Sequence, residues 1–249
     1  MNTDTLDKMK AMHLLGMHRA FKTSLETPCS TTLTADEMIA LLIDSEWDDR
    51  HNRSIERGIS NARFRYKATI EALDYGKERG LDKNVVHRLA DAEFIRKKED
   101  LLISGSTGTG KSFLASALGY QACQLGFKVL YANAMRLFAQ LKMAKADGSA
   151  IKELMKIEKM DLLILDDFGM QPLDAQSRAS LLDIIEDRHG KRSTIITSQL
   201  PVKQWYEVIG KKTVADAILD RIVHNAQRIE LMGESLRRKW TKRGEPENA

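Results

Sequence analysis

Eight consecutive residues, Gly105-Ser106-Thr107-Gly108-Thr109-Gly110-Lys111-Ser112, carry the clearest chemistry in the chain and satisfy the spacing G-x-x-x-x-G-K-[ST] in full. Glycines so placed let backbone amides turn inward around a phosphate, at a helix N-terminus whose dipole already favours anions. Lys111 is then positioned for β- and γ-phosphates and the Ser112 hydroxyl for Mg²⁺, with Phe113 closing the nucleotide-binding run. Context supports this over a flexible glycine-rich linker. The apolar "DLLISG" precedes the loop, and "SFLASALGYQACQLG" after it reads as a helix.

Hydrolysis of a bound nucleotide requires carboxylates facing that loop, and "DLLILDDFG" supplies two. Leu162 to Leu165 form a short apolar run that delivers Asp166 and Asp167 at its C-terminal end, where open α/β sheets bind ligands. Asp166 is the expected Mg²⁺ partner through a coordinated water, and Asp167 the expected base or positioner of the attacking water. Aspartate is one methylene shorter than glutamate, so the water must sit closer or be held partly by another group. A further run, "STIITSQLP", ends in Thr197, Ser198 and Gln199, which would emerge near the γ-phosphate. The register that decides which of the three points inward is open, and capping the turn before Pro201 is the alternative role.

These groups need a scaffold. "DLLISG", "KVLYAN", "DLLILDD", "STIITS" and "QRIEL" are short apolar runs separated by helical stretches, the pattern of a five-stranded parallel sheet in a doubly wound α/β domain. Residues 6–73 carry helical signals. Leu6, Met9, Met12 or His13 and Leu14 to Met17 recur at three- and four-residue spacing, Thr34 and Glu37 form a capping box, and Met38, Leu41, Leu42, Ser45 and Trp47 are expected to line an apolar core stripe. The stretch 74–100, with "DYGKERGLDKN", reads as a joint. The expected division is thus a helical N-terminal domain for DNA binding and assembly, 1–73, and an α/β domain with a basic tail, 74–249.

The 249 residues carry a formal net charge of +4, unevenly spread. Arg50, Arg53, Arg57, Arg63, Arg65 and Lys67 stand against one acid, Glu56, and a second basic cluster runs from Arg237 to Arg243. Such clusters attract phosphate backbones, although a solvated face is the commoner origin of a charge run. Arg50, Arg53 and Arg57 share one side of a helix, while Arg63 and Arg65 alternate with Phe64 and Tyr66. Backbone contact with little base readout is expected from them. Cys29 and Cys123 lack disulfide or zinc spacing, and the polar "MNTDTLDKMK" lacks the apolar core of a secretory signal. No apolar run approaches a membrane span. A cytoplasmic protein without membrane partners is the expectation.

Together, "GSTGTGKS", "LLILDDFG", "TIITSQLP" and "ADAILDRIVHNAQRIEL" resemble the AAA+ ATPases, and more narrowly the IstB-type transposition helper ATPases, relatives of the DnaC helicase loaders. The N-terminal "LLGMHRAF", "EMIALLIDSEWDDRHNR" and "RFRYKATIEALDY" extend the likeness over nearly the whole chain. The resemblance implies ATP and Mg²⁺ as cofactors, a sensor role for Ser198 or Gln199, and an arginine finger at Arg221 that reaches a neighbouring subunit's γ-phosphate. Pairing of Arg221 with Asp220 or Asp216 is the plainer alternative. It further implies homo-oligomers with nucleotide at subunit interfaces, duplex DNA as target and a transposase as partner. With a short stretch after Arg221, the expectation is an ATPase domain without a full C-terminal helical lid, in which Arg237 or Arg238 would replace the lid arginine or simply extend the tail. A helicase loader acting on single strands and a small-molecule P-loop kinase are the competing functions.

Overall fold

A computed structural model describes residues 2–26 and 33–236. The expectations for Arg237, Arg238 and Cys29 therefore lie outside the described residues. Two compact units divide the chain at Met1–Arg57 and Gly58–Ala249.

The first unit holds α1 (Asn2–Ala11), α2 (Leu15–Glu26) and most of α3 (Ala35–Ala62). The capping box opens α3: the Thr34 amide donates to Glu37 Oε2 at 2.7 Å, and the Glu37 amide to Thr34 Oγ1 at 3.3 Å. Helices α2 and α3 meet closely at Gly16, where a Cβ would lie 2.2 Å from the Ser45 carbonyl oxygen. The buried Glu46 carboxylate accepts from the Gly16 amide at 2.8 Å and the Met17 amide at 3.2 Å. The expected apolar stripe is not a core within this unit. Trp47 is 72% exposed and Leu41 lies at the surface, because the contact is built on small and polar groups.

The second unit is a five-stranded, all-parallel sheet of order β2-β3-β4-β1-β5, with β1 (Asp100–Gly105), β2 (Val129–Asn133), β3 (Leu162–Phe168), β4 (Ser193–Ser198) and β5 (Ala226–Leu231). Strict alternation sends Leu101, Ile103, Ile164 and Ile195 to one face and Leu102, Leu163, Leu165 and Ile196 to the other. Both faces are covered, so the strands read as unbroken apolar runs. The first face packs against α4 (Lys83–Ala90), α5 (Glu93–Arg96) and α6 (Lys111–Gln124); the second against α7 (Ala134–Ala146), α9 (Ala175–Arg188), α10 (Trp205–Ile209) and α11 (Lys212–His224). The remaining helix, α8 (Ala150–Glu158), contributes Ile157 to the second core.

The domain limits differ from the sequence reading. Residues 58–73 belong to the α/β unit, since Ala62, Ala68 and Ile70 are buried in the same core as Leu101 and Leu114. The supposed joint is packed structure as well, with Val86, Leu89, Phe94 and Ile95 buried. Its glycines and aspartates mark turns and caps instead, as where Asp82 accepts from the Asn84 amide at 2.7 Å. At the far end of the sheet the buried Arg188 guanidinium donates to the carbonyls of Ile157, Met160 and Ser193. Near it Asp100 accepts from the Thr194 amide at 2.7 Å. Burial pushes the Asp100 carboxyl up to about 7, opposed by the Thr194 amide and the Arg188 charge.

Candidate nucleotide site

The glycine-rich loop joins β1 to α6 and takes backbone angles that other residues avoid: φ is +83° at Gly108 and +89° at Gly110. Thr109 Oγ1 donates to the Ser106 carbonyl at 2.8 Å and ties the loop back on itself. Lys111, nearly buried, donates through Nζ to the carbonyls of Gly105 and Ser106, each at 2.7 Å. Burial lowers its pKa, and Asp167 and Asp166 oppose that shift. The ammonium is therefore already at the loop, with the donors a phosphate needs.

Across from the loop, the β3 end presents Asp166, which is 0% exposed and fully engaged. Its Oδ1 accepts from Ser112 Oγ at 2.7 Å and Thr197 Oγ1 at 2.5 Å. Its Oδ2 accepts from the Tyr131 hydroxyl and from Arg65 Nη1, the latter at 3.4 Å. Burial above all, then the Asp166 charge, raises the Tyr131 pKa and keeps the phenol a donor. Asp167 sits within a break in the β3–β4 register, between Leu165 and Phe168, at φ +57°. Its carboxylate accepts from Arg65 Nη1 at 2.9 Å and Asn133 Nδ2 at 3.4 Å, and its amide donates to Thr197 Oγ1 at 3.1 Å. Ser112, Asp166 and Asp167 form a hard-oxygen set of the kind Mg²⁺ takes together with substrate phosphates, so these residues fit the ion.

Strand alternation separates Thr197 and Ser198, the last two residues of β4, and Gln199 follows them. Thr197 shares the face of Ile195 and reaches both aspartates, as just described. Ser198 points to the opposite face, is buried, donates to the Phe168 carbonyl at 2.8 Å and accepts from the Leu200 amide at 3.1 Å. Its contacts are those of a strand-end cap and none reaches the loop. Gln199 does reach it, accepting through Oε1 from Thr107 Oγ1 at 2.6 Å.

Arg65, expected on a DNA surface, belongs to this site. Phe64 and Tyr66 fasten it there: Phe64 packs edge-on to Tyr131, Tyr66 tilts against Phe113, and the Arg65 guanidinium lies 5.5 Å from the Tyr66 ring centre. Gly119 on α6 admits Phe64, since a Cβ there would stand 2.6 Å from the ring. The remaining basic candidates have local partners or lie at the surface. Arg50 pairs with Glu46 at 2.6 Å and Arg53 with Asp49 at 2.6 Å, Arg57 donates to the Arg53 carbonyl at 3.1 Å, and Arg63 and Lys67 are exposed.

Arg221 on α11 pairs with neither Asp220 nor Asp216. It donates to Glu186 of α9 at 2.9 Å and to the Ala217 carbonyl at 2.8 Å, while Asp220 faces His224 at 3.3 Å. None of these contacts involves the phosphate loop of its own chain.

Four residues of the site escaped the sequence reading as parts of it: Arg65, Tyr131, Asn133 and Arg79. Asn133 stands beside Asp166 at the C-terminal end of β2, a position the strand-end rule could have flagged. Arg79, from the supposed joint, is buried and donates to the Thr109 carbonyl; no local pattern marks it. The chain after β5 closes the same side, with the Leu236 amide donating to the Gly108 carbonyl at 2.9 Å.

The sequence profile of the IstB-like ATP binding proteins matches residues 7–244. An insertion sequence ATP-binding protein of Sinorhizobium fredii is 47% identical, covering 94% of this chain and 96% of that protein. The IS21 ATP-binding protein of Pseudomonas aeruginosa is 32% identical over 94% and 87% of the two chains. Among solved structures, DnaI is similar with a TM-score of 0.58 and 25% identity, over 67% of this chain and 92% of that one. The DnaC helicase loader shares the fold at a TM-score of 0.54 and 19% identity, over 67% and 97%.

Proposed function

The chain belongs to the IstB-like family of ATP-binding proteins, and we propose that it is a Mg²⁺-dependent ATPase that assembles on duplex DNA and directs a transposase to it. The observation that carries the catalytic part is the convergence of Lys111, Ser112, Asp166, Asp167, Thr197 and Gln199 at one end of the sheet. In this reading Lys111 and the loop amides hold the β- and γ-phosphates, and Ser112 and Asp166 hold the ion. Asp167 orients the attacking water, with Asn133 as the second group that its short side chain calls for. Gln199, linked to the loop through Thr107, senses the γ-phosphate. The bound ion supplies charge neutralisation as the phosphoryl group transfers.

Arg221 acts in trans. Its contacts are with Glu186 and the Ala217 carbonyl and not with its own loop, and in this reading it exchanges Glu186 for a neighbour's γ-phosphate, so hydrolysis depends on assembly. Arg50, Arg53 and Arg57, with Arg63 and Lys67, contact DNA phosphates, and the names of the insertion-sequence relatives support the transposase as partner. The protein works in the cytoplasm.

The test is ATP turnover with and without duplex DNA. Lys111→Ala and Arg221→Ala are each expected to abolish it, and a mixture of the two to regain part of it, because one contributes an intact site and the other an intact finger. No recovery in the mixture refutes the trans assignment. The likeness of fold to DnaI and DnaC favours one second reading, a helicase loader. Preference for single strands together with capture of a replicative helicase would establish that role in place of ours.

A further inference from the structure

Arg65 has no place in the roles just assigned, yet it makes an ion pair with both aspartates at once. The donors around Asp166 differ in kind. Ser112, Thr197 and Tyr131 are neutral, whereas Arg65 is charged, and its side chain is 42% exposed and so has a way out to solvent. Its neighbours in the chain are held by packing, because Phe64 is wedged between Tyr131 and Gly119 and Tyr66 lies on Phe113. The guanidinium can therefore leave while the chain on either side stays put.

A cation on these carboxylates repels any second cation brought to them, and at near-contact range in a partly buried site that repulsion is large. We propose that Arg65 is a built-in competitor of Mg²⁺: its guanidinium occupies Asp166 Oδ2 and Asp167 Oδ2 and must swing away before the pair can serve an ion. This rests on the reading of the pair as the Mg²⁺ side of an ATP site. Arg65 thereby sets the Mg²⁺ level at which the site closes on nucleotide, and frees Asp167 only when phosphate and ion arrive together.

The experiment follows binding, not turnover. Wild type, Arg65→Gln and Arg65→Lys are titrated with Mg²⁺ in the presence of a fluorescent non-hydrolysable ATP analogue. Arg65→Gln is expected to need roughly tenfold less Mg²⁺ for half-saturation, the worth of one charge-assisted hydrogen bond no longer given up. Arg65→Lys, which keeps the charge without the fork, should fall between the two. Analogue binding in chelator should be the same in all three. An unchanged or higher Mg²⁺ requirement in Arg65→Gln overturns the competition and leaves the ATP site standing. Failure of wild type to bind the analogue at all removes both. Should Arg65→Gln not fold, wild type alone decides: labelling of Arg65 by an arginine-selective dicarbonyl rises when Mg²⁺ and analogue are added together, and a constant or falling yield refutes the proposal.

Discussion

Thr197→Val removes one hydroxyl and keeps the shape of the side chain, so its cost can be worked from two bonds. The hydroxyl donates to the buried carboxylate of Asp166 at 2.5 Å and accepts from the Asp167 amide at 3.1 Å. A hydrogen bond to a charged group is worth about 1.5–3 kcal/mol, and a buried amide left without an acceptor costs about 1–3 kcal/mol. Asp166 keeps Ser112, Tyr131 and Arg65 as donors, which places the net near the low end, about 3 kcal/mol. At about 2–4 °C per kcal/mol for a chain of this size, Tm should fall by roughly 6–12 °C. Both aspartates lose an anchor, so kcat should fall by roughly tenfold or more with a smaller change in KM. Ser198→Ala is the control. It gives up bonds to Phe168 and Leu200 on the other face, costs about 1 kcal/mol and leaves kcat within about twofold. Differential scanning fluorimetry and steady-state ATPase assays read both quantities. If Thr197→Val melts within a degree or two of wild type, or if Ser198→Ala loses as much turnover, the assignment by strand face is wrong.

Neutralising Arg50, Arg53 and Arg57 together should weaken duplex binding and flatten its salt dependence. Because Arg50 and Arg53 are already paired with Glu46 and Asp49, the slope of log K against log salt should drop by roughly 1–2 instead of the full value for three free charges, measured by fluorescence anisotropy across a salt series. Asp100 makes stability fall as pH rises. Its folded-state pKa, about 7, lies above that of an unfolded aspartate, so the stability it contributes is complete below the ordinary aspartate range and is lost on going up through 7. Asp100→Asn should remove roughly 2 kcal/mol of that decline between pH 5 and 7, read from denaturant unfolding at each pH.

How far the site could be read from sequence depended on the range of the interaction. The phosphate loop and the paired aspartates were legible because a glycine spacing and an apolar run ending in acids are local facts. The five strands were legible for the same reason, since burial on both faces leaves continuous apolar runs. The choice among Thr197, Ser198 and Gln199 was not, because alternation separates neighbours but does not say which face receives α6. The contact of Arg65 with the aspartates was not legible, because a charge flanked by aromatic residues looks the same whether it meets DNA phosphate or Asp167 from 102 positions away. The stripe containing Trp47 failed differently. Its period predicted a buried side, but Gly16 and Glu46 make the contact between α2 and α3, and periodicity carries no mark of a polar interface.

The left-handed backbone at Asp167 bears on why the second acid of the pair is short. Aspartate and asparagine tolerate that conformation better than longer residues do. Glutamate in its place would extend the carboxylate by a methylene while asking more of the peptide that carries it. Reach and backbone conformation are thus traded against each other at this one position. A chain that acquired the longer acid would have to straighten the end of β3, moving the amide now held by Thr197, before the extra length became useful.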